Sequence, residues 1–563
     1  MITSLTMHTR LAGHTDQPGA VRLVPPEIWS SVAASATRDT LSNLRAVSRP
    51  FRKLVDPVLF ARISVTLGCW RMDDDAVERD ELEDEIPNME NEQPDGESAQ
   101  ALARNNRIAC ELLHHISNEP AFAHLVRSMT IHACSPTALS TLEWSTLQKA
   151  IPRLTKLVRF QWLGVRPRPS TGVLQALVQV PTPSLQHLSL PDSNGARSCL
   201  AKFTSLQTLA LHTPEREQPS TFSLAQVVAD PLSGLALWGH DVRLTTVHTV
   251  RHLQELELLE PRSLEGFEAI LAQCDALLSL TLDQPDEAFF GALRARPHSV
   301  PQLTALKLLS MRSLEDSHAT ALVDFLEGKP LRMVDLWLHM GFWGTMRLEE
   351  DKVLRAVKKL PKLEVLGLPV PQLSFCLRWD DTNFGSDVLG PRAAEIYVEG
   401  YIPTHISALT LRWVVTNAEL ARNMLLPVIS ALPSLQYLHI MDHTWTVEWF
   451  RERLLEVCPV SLRLFGYGQH MHCIERVPDT STPTGLTLWP SSRVHFCTPE
   501  DFGCADWEWL FRHTPLFPWV RPSASSCAPA PIDETFEQPS KQRARATRGL
   551  RDRSYITWVY PVG

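Results

Sequence analysis

Hydrophobic positions recur along most of this chain as apolar-x-x-apolar-x-apolar. The clearest copies are Leu185/Leu188/Leu190, Leu206/Leu209/Leu211, Leu232/Leu235/Leu237, Leu253/Leu256/Leu258 and Leu277/Leu280/Leu282. Leu303/Leu306/Leu308, Leu331/Val334/Leu336, Leu363/Leu366/Leu368, Ile406/Leu409/Leu411 and Leu435/Leu438/Ile440 continue the series, and weaker copies start at Val126 and Leu157. Successive starts from Val126 lie 31, 28, 21, 26, 21, 24, 26, 28, 32, 43 and 29 residues apart. Many of these intervals fall inside the ~20–29-residue period of a leucine-rich repeat. The last two apolar positions are two apart, so in a short strand both point to one side. One unit covers only one side of its apolar layer, and stacked neighbours complete the core.

Helix-like stretches separate the strands, among them Ser223–Ala229, Leu264–Cys274 and Ser317–Glu327. The pattern predicts an α/β fold, an irregular leucine-rich-repeat solenoid over residues 99–470. Parallel strands would form its concave face and helices its convex face. A non-repeat α/β domain with several similar strands is the alternative. The position three beyond the last apolar residue, where such repeats usually carry Asn, holds Ser193, Pro214, His240, Pro261, Pro285, Met311, His339, Pro371, Val414 or His443. An Asn ladder is therefore absent, and prolines would end several strands by removing a donor.

Ahead of the repeats, residues 23–63 read LVPPEIWSSVAASATRDTLSNLRAVSRPFRKLVDPVLFARI. Pro25 and Pro26 followed by Glu27 form a helix-start signal. Ile28, Val32 and Ala36 fall on one helical face. Leu41, Leu44, Val47, Phe51 and Leu54 give a second amphipathic stretch. This makes a small helical bundle, residues 21–66, with more apolar surface than it can bury alone. The segment resembles the F-box of fungal F-box proteins with leucine-rich C-terminal regions. The resemblance rests on VPPEI at 24–28, LSNLRAVSRPFRKLV at 41–55 and DPVLF at 56–60. Val24 stands where the family usually has Leu, and Phe51 where Trp or Phe is common.

That resemblance implies a non-catalytic substrate receptor of a Skp–cullin–F-box ubiquitin ligase. A Skp-type adaptor, itself joined to a cullin scaffold, would dock on Val24, Pro25, Pro26, Glu27, Ile28, Leu44, Val47 and Phe51. The other reading is a leucine-rich scaffold without a ligase role, in which the same residues only cap the solenoid. A substrate protein would meet the concave face. Glu257, Lys307, Asp335 and His439 lie between the inward leucines there, and Trp238, Asp283, Trp337 and Arg412 just after them.

Charge and composition narrow the alternatives. The net charge of −9 argues against a general nucleic-acid binder. Residues 1–20 have no apolar run and read as a disordered leader. Residues 73–97 hold thirteen acids and one base, a solvated insertion. Residues 471–520 read as a C-terminal cap without an assigned structure. Residues 521–563, with six Lys or Arg in Lys541–Arg553, read as a disordered tail. Eleven scattered cysteines, an odd number without a CxxC pair, fit a reducing compartment, cytoplasmic or nuclear. No stretch reaches the ~18–20 apolar residues of a membrane helix. His470, His472 and Cys473 lack a second ligand cluster. Phosphate-loop, dinucleotide and nucleophile-elbow motifs are missing, so no cofactor or catalytic centre is expected.

Overall fold

A computed structural model describes residues 38–68, 96–134, 141–180, 185–200, 202–212, 232–238, 251–261, 263–311, 314–338, 348–370, 397–413, 425–441, 453–468, 470–477, 483–489 and 499–513, with Trp29, Val32, Ala33 and Val494 besides. The first elements with described bounds are two helices, α1 (Arg38–Val47) and α2 (Arg49–Leu59). Ser48 caps α2, its hydroxyl accepting from the Phe51 N–H at 3.4 Å, and Pro50 sits in the first turn where no donor is needed. Ala33, Leu41 and Val55 make a small core of their own here. Arg45 pairs with Asp56 across the two helices at 2.7 Å.

Strand β1 (Arg62–Gly68) and helix α3 (Gly96–Asn118) follow. The repeats then supply β2 (Ser128–Cys134), α4 (Thr141–Ala150), β3 (Arg159–Arg166), α5 (Thr171–Val178), β4 (His187–Pro191), α6 (Asn194–Leu200), β5 (Thr208–His212), β6 (Gly234–Trp238) and β7 (Glu255–Leu259). Next come α7 (Phe267–Leu271), β8 (Ser279–Asp283), α8 (Glu287–Ala295), β9 (Ala305–Met311), α9 (Asp316–Leu326), β10 (Met333–Leu338), α10 (Leu348–Lys358) and β11 (Val365–Val370). The chain continues through β12 (Ala408–Trp413), β13 (Tyr437–Met441), β14 (Leu464–Tyr467), β15 (His470–Arg476), β16 (Pro483–Leu488), α11 (Pro499–Phe502) and α12 (Ala505–Phe511).

The sixteen strands among the described residues form one sheet in sequence order. Pairing is parallel from β1 to β14 and antiparallel from β14 to β16. The register aligns the repeat positions: Leu188 pairs with Leu209, Leu209 with Leu235, Leu235 with Leu256 and Leu256 with Leu280. Every leucine, isoleucine and valine of the ten clear triads is buried in one continuous core with the helices. The repeat reading therefore holds at the level of strands and helices. Predicted helical stretches at Leu264–Cys274 and Ser317–Glu327 contain α7 and nearly all of α9. The stretch at Ser223–Ala229 lies outside the described residues.

Residues 62–66, read with the N-terminal motif, belong to β1, which pairs in parallel with β2. Phe60/Ile63/Val65 is one more copy of the triad, hidden inside the segment that carries the F-box resemblance. Leu462/Phe465/Tyr467 is another, with aromatics in place of leucines, and it builds β14. Strand exits are solved without Asn. Glu260, Gln284 and Ser310, each two residues past the last inward leucine, take left-handed backbone at φ 48°, 51° and 47°. That conformation costs an ordinary side chain roughly 1 kcal/mol. Pro261 and Pro285 directly follow two of these residues and end the ladder there.

Candidate protein-binding surface

Strand residues that point away from the leucine core form three rows on the face opposite the helices. The register places Arg62, Ser128, Arg159, His187, Thr208, Gly234 and Glu255 in the first row, continuing to Ala305, Val365, Ala408, Tyr437 and Leu464. Ser64, Thr130, Gln161, Ser189, Glu257, Lys307, Asp335 and His439 lie in the middle row. Trp238, Asp283, Trp337 and Arg412 stand near the strand exits.

The C-terminal helices lie on this face from β9 to β14. Phe502, Trp507, Trp509, Leu510 and Phe511 share a buried cluster with Ala305, Val365, Ala408, Tyr437, Leu464 and Trp489. Trp507 stacks on Tyr437 with ring centroids 5.6 Å apart, and Phe511 stacks on His439 at 5.6 Å. Gly503, at φ 69°, makes the turn between α11 and α12. Arg332 grips Asp506 with two hydrogen bonds, 2.5 and 2.7 Å. At the far end His513 adopts φ 66° and closes the last turn.

Lys307 explains how that last turn is tolerated inside the protein. Helix ends leave carbonyls without partners. The fully buried Lys307 ammonium donates to the carbonyl oxygens of Trp509, Leu510 at 3.2 Å and Arg512 at 2.8 Å. Its charge also suits the negative end of the helix dipole. Burial pushes the Lys307 ammonium down to about 8, and Asp335, 3.6 Å away, pulls the other way. Removing one partner of a buried charge set of this kind costs about 3–5 kcal/mol.

Asp335 and Arg412 form a two-pronged pair, one prong 2.7 Å long, across the intervening strand β11. Burial alone would raise the Asp335 carboxyl, but Arg412 and then Lys307 outweigh it and lower it. The pair passes over Gly367, where a Cβ would collide with the Asp335 carboxylate. Arg412 also lies 5.5 Å from the Trp337 ring centre. His439 is neutral: burial pushes its imidazole down to about 4. Its Nε2–H donates to the Gly468 carbonyl at 2.9 Å, so Nδ1 accepts from the Tyr437 hydroxyl at 3.2 Å.

Glu257 marks the margin of the covered region. It accepts from Arg512 at 2.8 Å and from His513 at 3.1 Å. Burial raises its carboxyl, yet Arg512 and His513 outweigh this and hold it well below the usual carboxylate range. Trp238 packs edge-on to His513, centroids 5.2 Å apart, and against His212 at 4.7 Å. Asp283 is buried.

Of the eight residues proposed to meet a substrate, Lys307, Asp335, Asp283, Arg412 and His439 are buried. Lys307, Arg412 and His439, with Asp335, anchor or underlie the chain's own C-terminal segment rather than a free surface. Glu257 is tied to that segment as well, and Trp238 and Trp337 are half-buried. Sequence reasoning missed the covering helix. Its signal was present in the first row, where Ala305, Val365, Ala408 and Tyr437 make their strands apolar on both faces.

Among the proposed adaptor-docking residues, Val24, Pro25, Pro26, Glu27 and Ile28 lie outside the described residues. Leu44 is half-buried in the helical pair, Phe51 is buried edge-on to Trp29, and Val47 is 66% exposed. Among the described residues no group of three His, Cys, Asp or Glu is placed to hold a metal, and no helix is long and apolar enough to cross a membrane.

No family model matches the sequence, and no curated protein matches it. Two solved structures similar to it are a complex of Rad7 and Elc1 in yeast and a complex of TLR13 with ssRNA13. The first is 11% identical over 65% of this chain and 89% of that one, with a TM-score of 0.30. The second is 15% identical over 64% of this chain and 57% of that one, with a TM-score of 0.26. Neither value carries an argument about function. The geometry itself defines the chain as a mixed α/β protein built on one long, mostly parallel sheet, half of whose helix-free face is covered by its own C-terminal helices.

Proposed function

We propose that the chain is the substrate-recognition subunit of a Skp–cullin–F-box ubiquitin ligase, a non-catalytic receptor whose repeats hold the protein to be modified. One observation carries the reading. A helical pair with its own small core, separate from the repeat core, stands directly ahead of a long leucine-rich sheet. Val47 on that pair is an exposed apolar side chain in the segment that resembles an F-box. Such a side chain is suited to burial in a partner's groove. The repeats then present a wide face to a second protein.

A leucine-rich scaffold without a ligase role draws support from a different contact. Phe60, at the end of the pair, packs edge-on to Phe122 with centroids 5.2 Å apart, and Ala61 accepts from Ser128 at 2.9 Å. The pair thus also closes the N-terminal end of the sheet. Co-precipitation of the full chain with a Skp-type adaptor and cullin separates the two. The receptor reading expects recovery of both by the wild type and their loss with Val47→Asp and with Pro26→Asp/Ile28→Asp. No recovery by the wild type, or full recovery by all variants, would sink it.

A further inference from the structure

The C-terminal helices do not match the strand row beneath them completely. That middle row runs Glu257, Thr281, Lys307, Asp335, Thr410 and His439, with Gly367 between the last acid and Thr410. Thr281 and Thr410 are 1% and 0% exposed. Among the described residues neither hydroxyl has a hydrogen-bond partner. The Arg412 Nε–H and, on the segment itself, the Trp509 indole N–H are also buried without partners. Native proteins keep few such groups, because each loses its bonds to water and gains none in return.

The charges in the row point the same way. A row that served only as a second core would hold apolar side chains, as the first row does with Ala305, Val365 and Ala408. Well-packed hydrophobic residues are often at least as stable as a buried ion set of similar volume. Here the charges read particular features of the segment. Lys307 takes the carbonyls at the end of α12 and lies 4.6 Å from the Trp509 ring centre. Glu257 takes Arg512 and His513, and Arg332 takes Asp506. Aromatic anchors ringed by matched charges are how an interface recognises a ligand. Strands β9 to β13 pair with their neighbours in the sheet, so departure of the segment breaks none of those ladder bonds.

We infer that α11 and α12 are an internal stand-in for a partner, and that a short aromatic helix of another protein takes their place on β9 to β13. Such a helix sets its last carbonyls on Lys307, an acid on Arg332 and an indole on Tyr437. It replaces like with like, so Lys307 and Asp335 stay covered, and it gains wherever it also bonds Thr281, Thr410 or Arg412 Nε. Until then the chain's own segment keeps this half of the face closed, acting at an effective concentration of roughly millimolar or more. The inference concerns regulation of the proposed receptor's repeats and rests on that reading for its biological role. The exchange itself needs no adaptor.

Fluorescence anisotropy with the full chain tests it, the probe being a labelled peptide that copies residues 499–513. Asp506→Ala/Trp507→Ala in the chain loosens its own segment and leaves the sheet side intact. That variant should bind the peptide at least about tenfold more tightly than the wild type, since more of the face is open. A peptide carrying Asp506→Lys and Phe511→Ala should bind the variant at least about tenfold more weakly than the native copy. Hydrogen exchange of the wild type alone is the second readout: α12 should exchange faster than β9 to β13, by an opening that leaves the sheet folded. Equal peptide binding by wild type and variant, equal binding of the two peptides, or no peptide binding overturns the inference. So does one common exchange rate for α12 and the strands. A wild-type dimer in light scattering that dissociates with Asp506→Ala/Trp507→Ala would make a second copy the occupant and overturn the assignment to another protein. Peptide exchange without adaptor recovery leaves the inference standing and removes the ligase reading; the opposite result does the reverse.

Discussion

The two halves of the helix-free face use the same backbone register for opposite purposes. In the first row, β3 to β5 carry Arg159, His187 and Thr208, which meet solvent in part or in full. At the equivalent places β9, β11, β12 and β13 carry Ala305, Val365, Ala408 and Tyr437, all buried beneath the C-terminal helices. Register and hydrogen bonding are the same in both halves, so side-chain chemistry alone decides whether the face is a surface or a second core. In a repeat protein each strand contacts mainly its neighbours, so one half can specialise without disturbing the other. The face that sequence spacing assigns wholly to a substrate is therefore divided.

Removing residues 499–513 breaks the comparison most severely. Burial of each of Phe502, Trp507, Leu510 and Phe511 contributes about 1.5–3 kcal/mol. Their loss also leaves Lys307, with Asp335 and Arg412, facing an open space. Thermal melting should drop steeply, and binding of a hydrophobic dye should rise as Val365, Tyr437 and Trp489 become exposed. A deletion variant that melts like the wild type would show that these helices are an ornament on the sheet and not part of its core.

How much of this was legible depended on which face of a strand the residues occupied. The inward triads announce themselves because leucine at fixed spacing has one structural meaning in a repeat. Phe60/Ile63/Val65 and Leu462/Phe465/Tyr467 obey the same spacing, yet aromatics and a neighbouring motif masked them. The covering helix was harder to place. DWEWLF at Asp506–Phe511 reads as a short apolar stretch, and nothing local says that its partner lies some two hundred residues earlier, at Lys307. Two-sided strands such as ALKLL at 305–309 were the available clue. Charged residues among them, Lys307, Asp335 and Arg412, look like surface chemistry in a linear string. Only the fold shows that they satisfy one another and a helix end. The docking residues 24–28 came from resemblance and lie outside the described residues.

Acid should separate the halves by a moderate amount. The His439 imidazole titrates near 6.5 when unfolded and at about 4 in the folded protein. Between those values the folded state binds fewer protons than the unfolded one. The stabilisation is complete above about pH 6.5 and is lost as the pH falls toward 4, by roughly 3 kcal/mol in all. His132, buried on β2 in the open half, is pushed down to about 4 as well, and burial lowers His187 and His513 too, so a global melt reports more than His439. Proteolysis at the C-terminal helices isolates the covered half. Cleavage there should accelerate between pH 6.5 and 4 in the wild type and change much less over that range in His439→Gln. An equal acceleration in the two proteins would place the acid sensitivity outside His439.

The smallest effect is the sharpest test of the division. Arg159 and Val365 occupy the same row, one on β3 and the other on β11. Arg159 is exposed, and exposed substitutions of this kind usually change stability by no more than about 0.5 kcal/mol. Val365 is fully buried against the C-terminal cluster. Arg159→Ala should therefore leave the denaturant midpoint almost unmoved. Val365→Arg forces an unpaired charge beneath the C-terminal helices and should lower the midpoint substantially. A large loss from Arg159→Ala would mean that Arg159 is itself a structural contact, held by the fold. Near-equal, small losses from both would mean that the C-terminal helices lift away easily, and the two halves would then form one continuous surface.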